Sequence, residues 1–193
     1  MDGFVSAVSA ELDKRLFVSE IGGSLREPTR LGVRGDCEAL IDLIPGSMPP
    51  KRIAISDAES AAKVLRATFD DRLPWLAGLH TPEEDRWYFA NVVFNECEVW
   101  GSFDGDDLIG FIAFRQGWVD QLYVLPDQQG RGIGGALLDV AQTLFSELQL
   151  WTFQRNNAAR EFYERRGFVA AELTDGLRNE EREPDVRYVW RRS

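Results

Sequence analysis

The sequence predicts a mixed α/β domain: one mostly antiparallel sheet with helices packed on it. Three observations predict it. Two capping-box signatures open helices between residues 56 and 84. Three strand-like runs separated by two-residue turns follow. A glycine-rich turn then carries the last of these runs into an amphipathic helix.

Arg52 to Ile55 alternates as a short strand. Ser56 and Glu59 form a capping box for a helix to about Phe69, and Thr81-Pro82-Glu83-Glu84 opens a second. Glu96 to Phe103, Leu108 to Arg115 and Trp118 to Leu125 read as strands joined at Asp104-Gly105 and Gln116-Gly117. A helix from Arg131 or Gly132 buries one face: Ile133, Ala136, Leu137, Val140, Ala141, Leu144, Phe145 and Leu148. Leu150 to Phe153 is a short buried strand, and a helix from about Asn157 to Arg166 ends on Gly167 as its C′ residue. Phe168 to Leu173 and Asp185 to Arg191 complete the order β-α-α-β-β-β-α-β-α-β-β. Residues 1–50 have another texture. They offer one short helix, about Ala7 to Phe17, and then glycines and prolines at close intervals. The division expected is an N-terminal extension over 1–50 and the domain over 51–193, with Pro49-Pro50 at the boundary.

Composition narrows the function. The 193 residues are 44% hydrophobic and 28% charged, as in an ordinary soluble domain. No apolar run is long enough for a membrane span, and no signal peptide is visible. Two scattered cysteines, Cys37 and Cys97, suit a reducing cytoplasm. A single histidine, His80, excludes a multi-histidine metal site, and no metal is expected. The net charge of −10 argues against nucleic acid and mildly favours cationic partners.

The chemistry concentrates in Leu122-Tyr123-Val124-Leu125-Pro126-Asp127-Gln128-Gln129-Gly130-Arg131-Gly132-Ile133-Gly134-Gly135. A helix start carries unpaired N–H groups and partial positive charge, and glycines let a phosphate approach them. The glycine spacing is not that of a dinucleotide-binding fold. The Gly-Lys-Ser/Thr of a Walker loop is absent.

Gln129-x-x-Gly132-x-Gly134 resembles the pyrophosphate motif of the GNAT acyltransferase superfamily. Asn156-x-x-Ala159-x-x-x-Tyr163-x-x-x-Gly167-Phe168 resembles its second motif, in the expected order and on the expected elements. The resemblance spans residues 51–191 and implies a GNAT fold whose fourth and fifth strands splay apart. It implies acetyl-CoA as acyl donor, with backbone contacts from Tyr123 and Val124 to the pantetheine arm. Gln129, Gly130, Arg131, Gly132, Ile133, Gly134 and Gly135 would cradle the pyrophosphate, and Asn156 and Tyr163 would flank the thioester. Arg131 and Arg160 are candidates to meet cofactor phosphates. The Val124 N–H is the candidate oxyanion donor, and Tyr163 matches the tyrosine that serves the leaving sulfur. Asp120 is the candidate base, because strand alternation would put it on one face with Leu122 and Val124.

The implied acceptor is a primary amine, on a small molecule or a peptide. It would be framed by the 174–185 connection, with its five carboxylates, and by a loop carrying Leu73, Pro74, Trp75, His80 and Thr81. Trp75 is a candidate cation–π surface. A homodimer is compatible with this reading. The competing reading is a catalytically silent CoA-binding regulatory module, disfavoured because Tyr163 and Asp120 are both present.

Overall fold

The computed structural model describes residues 49–76 and 78–192. The helix expected over 7–17, and Cys37, lie outside the described residues. Strand β1 (Lys51–Arg52) is shorter than the sequence predicts. After Ile53, whose N–H donates to the Val99 carbonyl at 3.0 Å, the chain turns into a 3₁₀ segment over Ile55–Asp57. Helix α1 (Ala58–Arg72) follows. Its expected capping box is not formed: Asp57 accepts from the Ala54 N–H at 3.0 Å, and Glu59 pairs with Lys63 one turn on.

The second box forms as predicted. Thr81 accepts from the Glu84 N–H and Glu84 accepts from the Thr81 N–H, at 3.3 and 2.7 Å, opening α2 (Pro82–Tyr88). That helix runs on through a π turn (Phe89–Val93) and a last helical turn (Phe94–Glu96). Strands β2 (Glu98–Asp104), β3 (Asp107–Arg115) and β4 (Trp118–Val124) make the antiparallel ladder. Helix α3 (Ile133–Leu144) then leads to β5 (Glu147–Phe153). Leu148, expected on the helix face, belongs to that strand, because the helix ends at Leu144 and Phe145 is already extended. Helix α4 (Asn157–Arg165) precedes β6 (Val169–Leu173) and β7 (Asp185–Arg191). The sheet order is β1-β2-β3-β4-β5-β7-β6, antiparallel except where β4 meets β5.

Residues alternate along β3 to serve two cores. Phe111 and Ala113 pack with Ala61, Val64, Phe89 and Val93 under α1 and α2. Ile112 and Phe114 pack with Leu137, Leu138, Leu148, Leu150 and Tyr188 under α3 and α4. The sheet is therefore covered on both faces, which fixes the lateral position of β4, the strand that carries the site.

Candidate active site

Strands β4 and β5 meet at one register position, Trp118 opposite Gln149. Beyond it they share no further paired residue, which is the splay that the family resemblance implies. Leu125 donates to the Ile109 carbonyl at 2.9 Å, so the facing pair Val124 and Gly110 is a non-hydrogen-bonded one. Val124 thus turns its N–H and C=O away from β3, toward the splay. Its carbonyl is held there by Gln129 Nε2 at 2.9 Å and by the Thr68 hydroxyl at 3.1 Å. By the same alternation Tyr123 turns its backbone groups to β3. The backbone groups turned to the splay are therefore those of Leu122 and Val124 rather than of Tyr123, and Leu122 and Tyr123 both line the cavity.

A β-bulge interrupts β4. Phe114 faces Val119 and Ala113 faces Gln121, so Asp120 is the extra residue. The expected alternation of Asp120 with Leu122 and Val124 does not survive it. Leu122 and Val124 belong to the α3/α4 core, whereas Asp120 accepts from the thiol of Cys97, which packs against the α1/α2 core. Asp120 also pairs with Arg115 Nε at 3.3 Å, and its side chain is only 2% exposed. Both partners were missed in the sequence. Arg115 and Asp120 flank the Gln116-Gly117 turn, a hairpin spacing that could have suggested their contact.

At the donor end the turn adopts the conformation the glycines permit: Gly130 and Gly132 have φ of 75° and 85°. Gly132 sits at the N-cap of α3, and Arg131 is exposed, bonded to Gln128. Gly134 differs. A Cβ there would stand 3.6 Å from Phe162 and 3.7 Å from Val124, so this glycine faces the protein interior. Gln129 is spent on the Val124 carbonyl, and Arg160 on the Tyr188 hydroxyl and the Gln154 carbonyl, at 3.3 and 3.1 Å.

Between the splay and the acceptor loops lies a cavity of about 260 Å³. Tyr163, Asn156 and Ala159 of the second motif line it, with Asp120 to Tyr123 of β4 and Leu150 to Phe153 of β5. Tyr163 packs edge-on against Phe162 and Phe168 and tilted beside Tyr188, and burial pushes its phenol above the ordinary tyrosine range. Asn156 caps α4 by accepting from the Ala159 N–H at 3.2 Å.

The far wall carries Arg66, His80, Glu84, Asp85, Glu180, Glu181 and Asp185, with Leu65, Phe69, Leu73 and Leu79 between them. Both predicted acceptor segments thus reach one cavity. Their charges are not equally available, however. Asp185 is bound by Thr174 and Asn179, Glu183 pairs with Arg155 at 3.2 Å, and Asp175 accepts from the Leu177 N–H. Trp75 already carries a cation on one face: the Arg155 guanidinium lies 4.2 Å from its ring centroid. Arg66 and Asp85, an ion pair the sequence did not reveal, join α1 to α2 with Nε to Oδ2 at 2.8 Å. Burial raises the Asp85 carboxyl against the opposing pull of that guanidinium. His80 Nε2 lies 3.8 Å from Glu180, linking the two segments predicted to frame the acceptor.

A splayed β4/β5 pair, a bulge before the splay and a glycine turn opening α3 now stand together. Residues 95–170 match the acetyltransferase (GNAT) domain. A peptidyl-lysine N-acetyltransferase of Salmonella typhimurium, YjaB, is 34% identical over 119 residues, covering 61% of this chain and 81% of the relative. The chain belongs to the GNAT acetyltransferase family. An uncharacterized N-acetyltransferase of Methanocaldococcus jannaschii is 32% identical over 113 residues, 47% of this chain. The chain spans about half the length of that relative, 48%. Among solved structures, the PaiA N-acetyltransferase of Thermoplasma acidophilum in complex with coenzyme A has a TM-score of 0.58. It is 22% identical and covers 74% of this chain and 98% of its own. That likeness is one of GNAT fold, with the mixed sheet and the β4/β5 pairing described above.

Proposed function

We propose that this GNAT domain transfers an acetyl group from acetyl-CoA to a primary amine by direct attack in a ternary complex. The observation that carries the reading is the continuity of the cavity. It runs from the β4/β5 splay, past Tyr163, to the acidic wall of Glu84, Glu180 and Glu181. The pyrophosphate lies on the α3 N-terminus at Gly130 to Gly135, where Ile133 opens the helix and Arg131 adds exposed positive charge. The pantetheine arm enters the splay along Leu122 and Val124.

An amine with a pKa near ~10 is almost wholly ammonium at neutral pH, so a proton must leave before attack. Asp120 takes it, directly or through water. The nitrogen lone pair then forms the C–N bond, and the Val124 N–H receives the negative charge that builds on the thioester oxygen. Collapse breaks the C–S bond, and the Tyr163 hydroxyl hydrogen-bonds or protonates the departing sulfur. The raised titration of Tyr163 fits a donor, since the group keeps its proton throughout the neutral range. The acidic wall attracts a cationic acceptor, and the apolar residues between its charges suit an alkyl stem such as a lysine side chain.

An acceptor panel tests this: small amines, polyamines and lysine peptides, with free thiol released from acetyl-CoA as the signal. The expected result is amine-dependent thiol release with acetylated product. CoA binding without thiol release from any amine would leave the domain a regulatory CoA sensor.

A further inference from the structure

We propose that Gln121 is an acceptor-binding residue, whose Oε1 takes a hydrogen bond from an N–H of the attacking amine. The inference rests on the transferase reading above. Gln121 follows the extra residue of the β4 bulge and lines the cavity. Its Oε1 is shielded from solvent and has no hydrogen-bond partner among the described residues. An amide oxygen taken from water without a donor destabilises a fold, and nearly all buried oxygens have one. The oxygen is thus built into the wall at a cost to the free protein, as expected of a group whose partner is a ligand.

The chemistry of the step identifies that partner. Coenzyme A brings its thioester up the splay, and the nucleophile must arrive beside the bulge, at Asp120. A primary amine that has lost its ammonium proton still carries two N–H bonds, and whatever holds them aims the lone pair. Gln121, adjacent to Asp120 in the strand, supplies a neutral acceptor for one of them. A carboxylate there would add a second charge beside the base; an amide holds the N–H without competing for the proton.

The test compares wild type with Gln121→Met, of similar length and without the acceptor, and Gln121→Glu, which keeps an oxygen. The acceptors are Nα-acetyl-lysine amide and 1,4-diaminobutane. Gln121→Met should raise the acceptor KM about tenfold, the effect of one lost hydrogen bond to a polar or charged group, and leave acetyl-CoA affinity unchanged. Gln121→Glu should hold the acceptor KM closer to wild type. The ligand-free Gln121→Met protein should also melt at a higher temperature than wild type, because an unsatisfied oxygen has been removed. Wild-type acceptor kinetics in Gln121→Met would overturn the inference alone. So would a lower melting temperature, which would show the oxygen serving the fold. No transfer by the wild type to either amine, with CoA still bound, would overturn the transferase reading and this inference together.

Discussion

At the glycine turn the proposed binding surface is backbone: two residues at φ of 75° and 85°, a helix N-terminus, and the Val124 peptide turned toward the splay. At the acceptor end it is side chains brought from four separate segments and locked to one another, Arg66 to Asp85, Arg155 to Trp75 and Glu183, His80 near Glu180. A backbone site recognises what every acyl-CoA shares. A side-chain site can be rewritten one residue at a time, so on the proposed function acceptor choice would reside there. Mutations at the two ends should consequently separate cofactor affinity from turnover and acceptor selection.

The largest effect is expected where the ends meet. Tyr163→Phe keeps the ring that packs on Phe168 and Tyr188, and removes only the hydroxyl. Turnover should fall by about 10²-fold, the lower end of the range for a general acid, because thiolates leave easily. Acetyl-CoA affinity by calorimetry should be unchanged. Burial holds the phenol above its usual range, so no loss of activity up to pH 9 should trace to its ionisation. Wild-type turnover in Tyr163→Phe would return this residue to packing alone.

Gly132→Val attacks the donor end. Its φ of 85° is left-handed, where a β-branched residue is strained, and the N-cap of α3 depends on it. Acetyl-CoA affinity should weaken about 5- to 150-fold, the equivalent of ~1–3 kcal/mol of backbone strain, in a protein whose circular dichroism stays native. Unchanged affinity would remove the turn from the binding site and dissolve the comparison.

The two ends also differed in how far the sequence announced them. Helix starts, turns and the glycine loop are local: Thr81 and Glu84 are three residues apart, and their reciprocal bonds form as read. The bulge at Asp120 is set by the register against Phe114 and Ala113, and only the paired strand reveals it. Arg155 reaches Trp75 across 80 positions of sequence (155 − 75), so no local pattern could have told that one indole face was taken. The helix face misread at Leu148 shows the converse limit. Helical spacing continued by chance past Phe145, while the chain had already turned into β5. Five carboxylates in the 174–185 connection were visible, but which of them scaffold the loop and which face the cavity depended on Thr174 and Asn179 folding back on Asp185.

A smaller and pH-dependent effect tests Asp120. Asp120→Asn keeps the shape and removes the proton acceptor, and Arg115 retains Glu96 as a partner. Turnover at neutral pH should fall, by about tenfold if water replaces the base in part, with acetyl-CoA affinity held. The deficit should shrink as pH rises toward the amine pKa of about 10, since bulk solvent then supplies the free amine. Parallel pH–rate profiles for the two proteins would leave Asp120 as a structural partner of Arg115 and Cys97. Proton removal would then fall to a water chain or to Glu180 and Glu181.

The smallest effect is predicted at Gly134, two residues from Gly132 and part of the same motif. If the loop were uniformly a phosphate cradle, any side chain at either glycine would obstruct the ligand. The geometry separates them. An added Cβ at Gly134 meets Phe162 and Val124 at 3.6 and 3.7 Å, ordinary contact distances, and it points into the α3/α4 core. The position lies in the first turn of α3 and does not have the positive φ of Gly132. Gly134→Ala should therefore leave acetyl-CoA affinity within about twofold and raise stability by up to ~1 kcal/mol, the helix preference of alanine over glycine. Gly134→Val adds two methyl groups against Phe162 and should destabilise instead, separating crowding of α4 from loss of phosphate contacts. The measurements are a denaturation curve and a calorimetric titration with acetyl-CoA on each variant. A tenfold weaker affinity in a fully stable Gly134→Ala protein would place that methyl group at the ligand, and both glycines would then belong to the cradle.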